Sequence, residues 1–355
     1  MPESSARLPD IGKISPEIFD HLILPRLGKK SKKVLIGPQH GVDVGVVDIG
    51  GGQVMATTCD PVFIVPEYGF ERSAWFATHI LASDAATSGL RPTYMCIDLN
   101  LPLSITLDEL TLMWKTIHKE CQKIGISIIS GHTARYEGCN YPMVGGATVM
   151  SVGPKDRYVT PNMAQVGDVV IVTKGAAIEA SGIFAVAFKD KIIESFGEEF
   201  AVRAEKIFYQ MSVVEDCLTA VSVGTRKKGV TSMHDATECG VWGGLYEVAQ
   251  ASKVGMHIEK EKIIVLPEVE KICQRFEMDP YSSISEGTLI ITCRPQKADL
   301  VIRKLKAKKI PSSIVGEVIP RRKGIILKEE SKESKLEHPR VDPFWIAFAK
   351  ALGRM

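Results

Sequence analysis

The sequence predicts a two-domain α/β protein (α+β in its mixture of sheet types), and three observations carry that prediction. A chain of 355 residues exceeds what one hydrophobic core usually organises, at roughly 150 residues per domain. Its first half alternates strand-like and helix-like periodicity, the order that produces helix-covered mixed sheets. Near Thr160 to Gly167 the pattern restarts, and VGDVVIVTKG reads as the opening strand of a second unit. The expected organisation is an N-terminal arm over 1–40, domains over 41–160 and 161–325, and a tail over 326–355.

The elements follow in chain order. VDVGVVDIGGGQVMATTCD is two β-rich runs around a glycine cluster, a hairpin signal because consecutive glycines supply the positive φ angles of a tight turn. With Gly51 and Gly52 at the turn, Asp43 and Asp60 face each other at the open end of the hairpin. Like charges opposed across a ladder are unfavourable, so either a divalent cation lies between them or both are solvated strand ends. Glu71 to Gly89 reads as a helix of small and apolar residues containing the acidic Asp84, a carboxylate that needs a metal or cationic partner if buried. RPTYMCIDLNLP is a strand, TLDELTLMWKTIHKECQKIG an amphipathic helix, ISIISGHTAR a strand ending in a polar loop, and YPMVGGATVMSVGP another strand. The second half carries helices around Glu199–Gln210 and Val213–Gly224, and closes with strand, helix and strand in SEGTLIITCRPQKADLVIRKLKAKKIPSSIVGEVI. KEESKESKLEH, Lys328 to His338, reads as a solvated connector.

Composition narrows the function classes. With 44 Lys+Arg against 42 Asp+Glu the net charge is +2, which gives no electrostatic case for nucleic acid. The basic runs at Lys29–Lys33 and Lys304–Lys309 lack interleaved aromatics to stack bases. Eight scattered cysteines without a CxxC pair fit reduced thiols in the cytosol. No apolar run approaches the roughly 18 residues that span a bilayer, and the polar start MPESSARLPDIGK is unlike a signal peptide. The expectation is a soluble, cytoplasmic protein.

One stretch concentrates chemistry: MHDATECGVWGGL, Met233 to Leu245. A strand end feeding a glycine-bearing helix, capped by Thr237 or Asp235, would aim free N–H groups at an anion. A structural capped helix reads similarly. His132 and His234 each follow a strand, where a general base or phosphate ligand can be presented, or where a histidine simply bonds backbone. Arg135 and Glu137 could meet phosphate and magnesium. Lys29, Lys30, Lys32 and Lys33 could fold over a triphosphate.

Asp43, TTCD ending at Asp60, ASDAATSG around Asp84, SGHTARYEG and HDATECGVWGG occur in an order that resembles the aminoimidazole ribonucleotide (AIR) synthetase superfamily. That superfamily also holds selenophosphate synthetase, thiamine monophosphate kinase and the hydrogenase maturation factor HypE, and the overall likeness is closest to HypE-like proteins. The resemblance implies a two-domain AIR-synthase-like fold whose first domain binds ATP and whose strands form a dimeric β-barrel. It implies Mg2+ held by Asp43, Asp60 and Asp84. Beside it, nucleotide contacts are expected from Gly131, Thr133, Arg135 and Glu137, and catalytic roles from His132, His234, Asp235 and Thr237. The resemblance further implies phosphorylation of an amide, carbamoyl or similar oxygen on a small or protein-borne acceptor, in a homodimer with a possible protein partner in a maturation pathway.

This sequence departs from the pattern in two places. The family's G-D-T-K loop appears as Gly131, His132, Thr133, Ala134, and the chain ends FAKALGRM without the terminal cysteine of HypE-like proteins. No cysteine precedes Cys59, against selenium chemistry. A small-molecule kinase and a nucleotide-binding scaffold without chemistry are the alternative readings.

Overall fold

The computed structural model describes residue 8 and residues 14–354. The first half builds one sheet from β1 (Val34–Ile36), β2 (Gly45–Gly50), β3 (Gln53–Phe63), β4 (Pro92–Leu101), β5 (Ser127–Arg135) and β6 (Met143–Pro154). After the short α1 (Pro16–Ile18), its helices are α2 (Phe70–Thr87) and α3 (Leu107–Ile124). Strand order is β1-β2-β3-β6-β4-β5, antiparallel except for the β4–β5 pair, whose connection runs through α3, as a parallel crossover requires. A reciprocal capping box between Thr106 and Glu109 starts α3, and left-handed Gly125 ends it. Met113, Ile117, Cys121 and Ile124 are its buried stripe, each large apolar side chain contributing about 1.5–3 kcal/mol.

The sheet is covered on one side only. Val54, Ala56 and Thr58 of β3 are buried while Cys59 is exposed, and on β4 Met95, Ile97 and Leu99 are buried while Tyr94 is exposed. The covered face packs on α2 and α3; edge strand β5 is exposed along most of its length.

The second half forms a seven-stranded sheet of β7 (Val169–Thr173), β8 (Val230–Asp235), β9 (Gly255–Glu259), β10 (Leu289–Cys293), β11 (Ser312–Ile319), β12 (Ile325–Glu329) and β13 (Lys332–Lys335), in the order β13-β12-β9-β11-β7-β10-β8. Its helices are α4 (Ile178–Ala187), α5 (Lys189–Phe196), α6 (Glu198–Phe208), α7 (Val214–Val221), α8 (Gly240–Ser252), α9 (Pro267–Arg275), α10 (Pro295–Ala307) and α11 (Pro343–Ala351). Every residue of β8 and β10 is buried. Helix α2 lies between the two halves: Leu81, Ala82, Ala85 and Ala86 share one apolar cluster with Ile97 and Leu99 of the first sheet and Met233, Leu289 and Ile291 of the second. No helix among the described residues is long and apolar enough to cross a membrane.

Two expectations are corrected here. The β2–β3 hairpin pairs Gly45 with Thr57 and Asp48 with Val54, with an irregularity before Gly50. Such a bulge shifts register by a residue, and Asp43 lies in the loop ahead of β2 instead of on the ladder facing Asp60. The KEESKESKLEH stretch is solvated as expected, but it is a hairpin: β12 pairs with β13 across a turn at left-handed Glu330. Beyond it, α11 buries Phe344 and Ala347 against Phe184, Phe188 and Phe276, so the tail is part of the core.

Candidate functional site

The carboxylates converge where the halves meet. Asp60 follows Thr58 on the covered face of β3, and Asp84 faces it from α2. The Thr58 hydroxyl, with one proton to give, lies 3.0 Å from Asp60 Oδ2 and 3.3 Å from Asp84 Oδ2. Asp235, at the end of β8, comes from the second half. It is fully buried, and neither of its carboxylate oxygens has a hydrogen-bond partner among the described residues. Removal from water, then the charge of Asp235 and the Asp60 carboxyl, hold the Asp84 carboxyl well above the usual range. Burial and then the Asp43 charge raise Asp235 as well. Clustered acids without a cation take up protons in its place, and a bound divalent ion reverses that.

His234 is not in a loop after the strand, as its polar context suggested, but within β8, 2% exposed. Its Nδ1 donates to Asp43 Oδ2 at 2.7 Å and its Nε2 to Glu247 Oε2 of α8 at 2.7 Å. Burial lowers its affinity for a proton, but the charges and hydrogen bonds of Asp43 and Glu247 outweigh that and raise its pKa well above the ordinary value. A ring that donates from both nitrogens has no lone pair for a proton or a metal. The general-base reading of His234 therefore loses its basis. Candidate ligand atoms of Asp43, His234 and Asp235 nonetheless lie within 4.8 Å of one another.

The helix after MHDATE is also built differently from expectation. Neither Thr237 nor Asp235 caps α8; the cap position is Cys239, in the left-handed region at φ 60°. Its N–H donates to Asp342 Oδ2 at 2.7 Å, and its thiol donates to the Pro339 carbonyl. Gly240, Trp242 and Gly243 donate to the carbonyls of Thr237, Tyr281 and Cys239. Four of the amides expected to cradle an anion, those of Cys239, Gly240, Trp242 and Gly243, are thus taken by the chain itself. Thr237 contributes its carbonyl, which also accepts from Ser285 N–H and ties this loop to the one before β10.

That second loop brings two acids the sequence reading did not single out. Glu286 is 3% exposed with Oε1 lacking a hydrogen-bond partner, and its N–H donates to Glu179 Oε2 of α4 at 2.9 Å. Burial, then Asp235 and Glu179, push the Glu286 carboxyl well above the usual range. Burial pushes Glu179 to about 8 despite the Glu286 N–H. Lys174 Nζ holds the loop from below through Gly287 O at 2.9 Å, Ser212 O at 2.6 Å and Asp216 at 2.9 Å. The available signal was SEGT, an acid between small polar residues ahead of a fully apolar strand.

The GHTA segment lies elsewhere. His132 is inside β5, paired with Asp98, and its Nε2 meets Tyr136 Oη at 2.8 Å. Register runs Asp60, Ala147, Ile97, Gly131 across β3, β6, β4 and β5. Gly131 therefore shares the face of Asp60 at about 14 Å, three strand spacings away, whereas His132 lies on the opposite, open face. Thr133 borders an apolar groove with Leu107 and Trp114. The Arg135 guanidinium donates to Leu103 O, and Glu137 is exposed in the following turn. Lys29, Lys30, Lys32 and Lys33 are exposed around the turn into β1.

The pattern described as AIR synthase related protein, N-terminal domain, matches residues 41–152, and its C-terminal counterpart matches residues 165–328. The chain belongs to the AIR synthase related family. Among relatives of this AIR synthase related protein, a putative hydrogenase expression/formation protein of Methanocaldococcus jannaschii is 22% identical over 342 residues, covering 94% of this chain and 96% of its own. The carbamoyl dehydratase HypE of Rhizobium leguminosarum bv. viciae is 23% identical over 287 residues, 79% of this chain and 77% of its own. A crystal structure of the hydrogenase maturation protein HypE in complex with ATP superposes with a TM-score of 0.63 at 18% identity, over 93% of this chain and 97% of that one. The two-domain family fold, with a mixed sheet in each half, is what the structure displays; within one copy the first sheet is open.

Proposed function

We propose that this protein is an ATP-dependent enzyme that phosphorylates an amide, carbamoyl or similar oxygen so that the oxygen can leave as phosphate. The observation that carries this reading is the fully buried, unpartnered Asp235 carboxylate beside Asp43, Asp60 and Asp84. An all-oxygen donor set of this kind suits a hard cation such as Mg2+. Mg2+ held there neutralises charge on the triphosphate. The HypE relatives, one named a carbamoyl dehydratase and one solved with ATP, support the same assignment.

The chain's own residues have distinct parts in it. Asp60 and Asp84, bridged by Thr58, and Asp43 and Asp235 hold the cation end. Glu286 and Glu179 line the acceptor side, where a carboxylate can accept a proton from an acceptor N–H. The acceptor oxygen attacks the γ-phosphorus, the bond to the β-phosphate oxygen breaks, and ADP departs. One N–H proton passes to a site carboxylate as the oxygen is phosphorylated, and the C–O bond then breaks, the second N–H proton leaving with inorganic phosphate as the C≡N bond forms. Gly131, Thr133, Arg135 and Glu137 keep the nucleotide assignment expected from their place beside His132, with 41–160 and 161–325 as the two domains. His132, on the open face, is placed at a subunit contact instead.

A homodimer is part of the proposal. One face of the first sheet exposes Cys59, Tyr94 and Val152, and its edge strand exposes Ile129. A second copy covering this face in a shared barrel removes both the apolar surface and the open edge. Ile129→Glu should convert a dimer to a monomer in sedimentation. The activity is tested by incubating the protein with ATP, Mg2+ and a carbamoylated peptide. ADP, inorganic phosphate and a peptide lighter by one water are expected; a stable phosphorylated peptide would refute dehydration.

A further inference from the structure

We infer that His234 is a positioning residue that clamps Asp43 and thereby sets the affinity of the carboxylate cluster for its divalent cation. The inference rests on the cation site proposed above and adds how one of its ligands is held.

Asp43 needs such a clamp. Asp60 is fixed by the β3–β6 ladder, where it pairs with Ala147, Asp84 by the second half of α2, and Asp235 by β8, where it pairs with Leu289. Asp43 belongs to the loop before β2 and has no ladder to place it. Two contacts with the second half of the chain take over. The first is the His234 bond at 2.7 Å, from a ring whose backbone is paired with Ile290 and whose other nitrogen is anchored on Glu247. The second is steric. Gly41, at φ +66°, sits so close to α8 that a Cβ would lie 2.8 Å from Glu247 Cβ and 3.0 Å from its carbonyl oxygen. The loop is seated on α8 at Gly41 and pinned two residues later at Asp43, which brings candidate ligand atoms of Asp43 and Asp235 within 4.8 Å.

Outer partners of this kind orient ligands, and their loss typically costs about 10–100-fold in metal affinity. The clamp also crosses between the two halves of the chain, so cation binding and seating of the 41–43 loop stabilise each other. A bound cation should slow amide exchange of that loop.

The rival role for His234 is direct ligation, and one experiment separates the two. Mn2+ binding to the full-length chain is followed by electron paramagnetic resonance for the parent, His234→Ala, Gly41→Val and Asp60→Asn. Gly41→Val unseats the loop by its clash with Glu247, removes no charged group, and keeps the test open if His234→Ala does not fold. The clamp predicts affinity losses of roughly 10–100-fold for both His234→Ala and Gly41→Val. It also predicts loss of binding in Asp60→Asn and no nitrogen coupled directly to the parent's Mn2+. Parent-like affinity in His234→Ala and Gly41→Val, with binding lost in Asp60→Asn, overturns the clamp and leaves the cation site standing. Undiminished binding in Asp60→Asn overturns the cation site itself. A directly coordinated nitrogen in the parent overturns the clamp in favour of ligation.

Discussion

Two groups of buried and half-buried acids face each other across the site, and they solve the same electrostatic problem differently. Asp43, Asp60, Asp84 and Asp235 crowd together with one hydroxyl and one imidazolium among them, and neither Asp235 oxygen has a well-formed hydrogen bond among the described residues. Glu179 and Asp342, on the other side, are served by backbone N–H groups: Glu286 donates to Glu179, and Cys239 and Phe344 donate to Asp342. Burial pushes Asp342 to about 6 and Glu179 to about 8. On the function proposed above, a cation completes the first group, whereas protons and backbone amides hold the second.

Asp235→Asn should give the largest effect and the sharpest contrast. Titration calorimetry with Mg2+ and ATP should show affinity falling by more than the roughly 10–100-fold that losing an outer partner costs. The same variant should melt higher than the parent without metal, because it removes a buried charge that has no partner. An equivalent neutralisation at Glu286, which is tied to the second group through its N–H bond to Glu179, should leave Mg2+ affinity close to that of the parent.

Phe344→Ala comes next. Its ring is 2% exposed and packs on Phe184 and Phe348, and opening that space should cost about 3–5 kcal/mol in denaturant unfolding. Amide exchange at Cys239 should rise with it, since Asp342 precedes the same helix.

Glu179→Gln tests the proton-held group through pH. A folded-state value near 8 against an ordinary 4.5 means the stability contribution is full below 4.5 and is lost as pH rises toward about 8. The variant should melt a few degrees above the parent at pH 8, with the gap closing as pH falls through that window. Thr58→Val is the smallest change: it removes one hydroxyl donor from Asp60 and Asp84, about 1 kcal/mol in cation binding, and should leave the Glu179 profile alone.

The comparison also explains what was legible in the sequence. The order from β2 to β6 in the first half follows from periodicity, which marks neither α4 and α5 nor the β12–β13 hairpin and α11 in the second; the apolar face of Val241, Leu245, Val248 and Ala249 on α8 is buried as its spacing implies. Asp60 and Asp84 are brought together by the family likeness, since the hairpin and the helix that carry them announce themselves locally but not each other. The clamp on His234 is not legible, because its partner Asp43 lies 191 positions away. Asp342 reaches Cys239 across 103 positions, so a helix start that reads as an open anion site is closed by a segment that reads as a tail. GHTAR looked like a loop because it is polar on both sides, and an exposed edge strand is free to be so. Glu286 and Glu179 were hidden for a further reason: isolated acids between small residues are common, and only burial distinguishes these.

The most direct test of the central claim is anomalous diffraction from crystals grown with Mn2+ and an unhydrolysable ATP analogue. The account predicts a Mn2+ peak bonded to oxygens of Asp60, Asp84 and Asp235, with the triphosphate on it and Glu286 facing the γ-phosphate. A nucleotide bound elsewhere, or a triphosphate seated with no metal among these carboxylates, would contradict it.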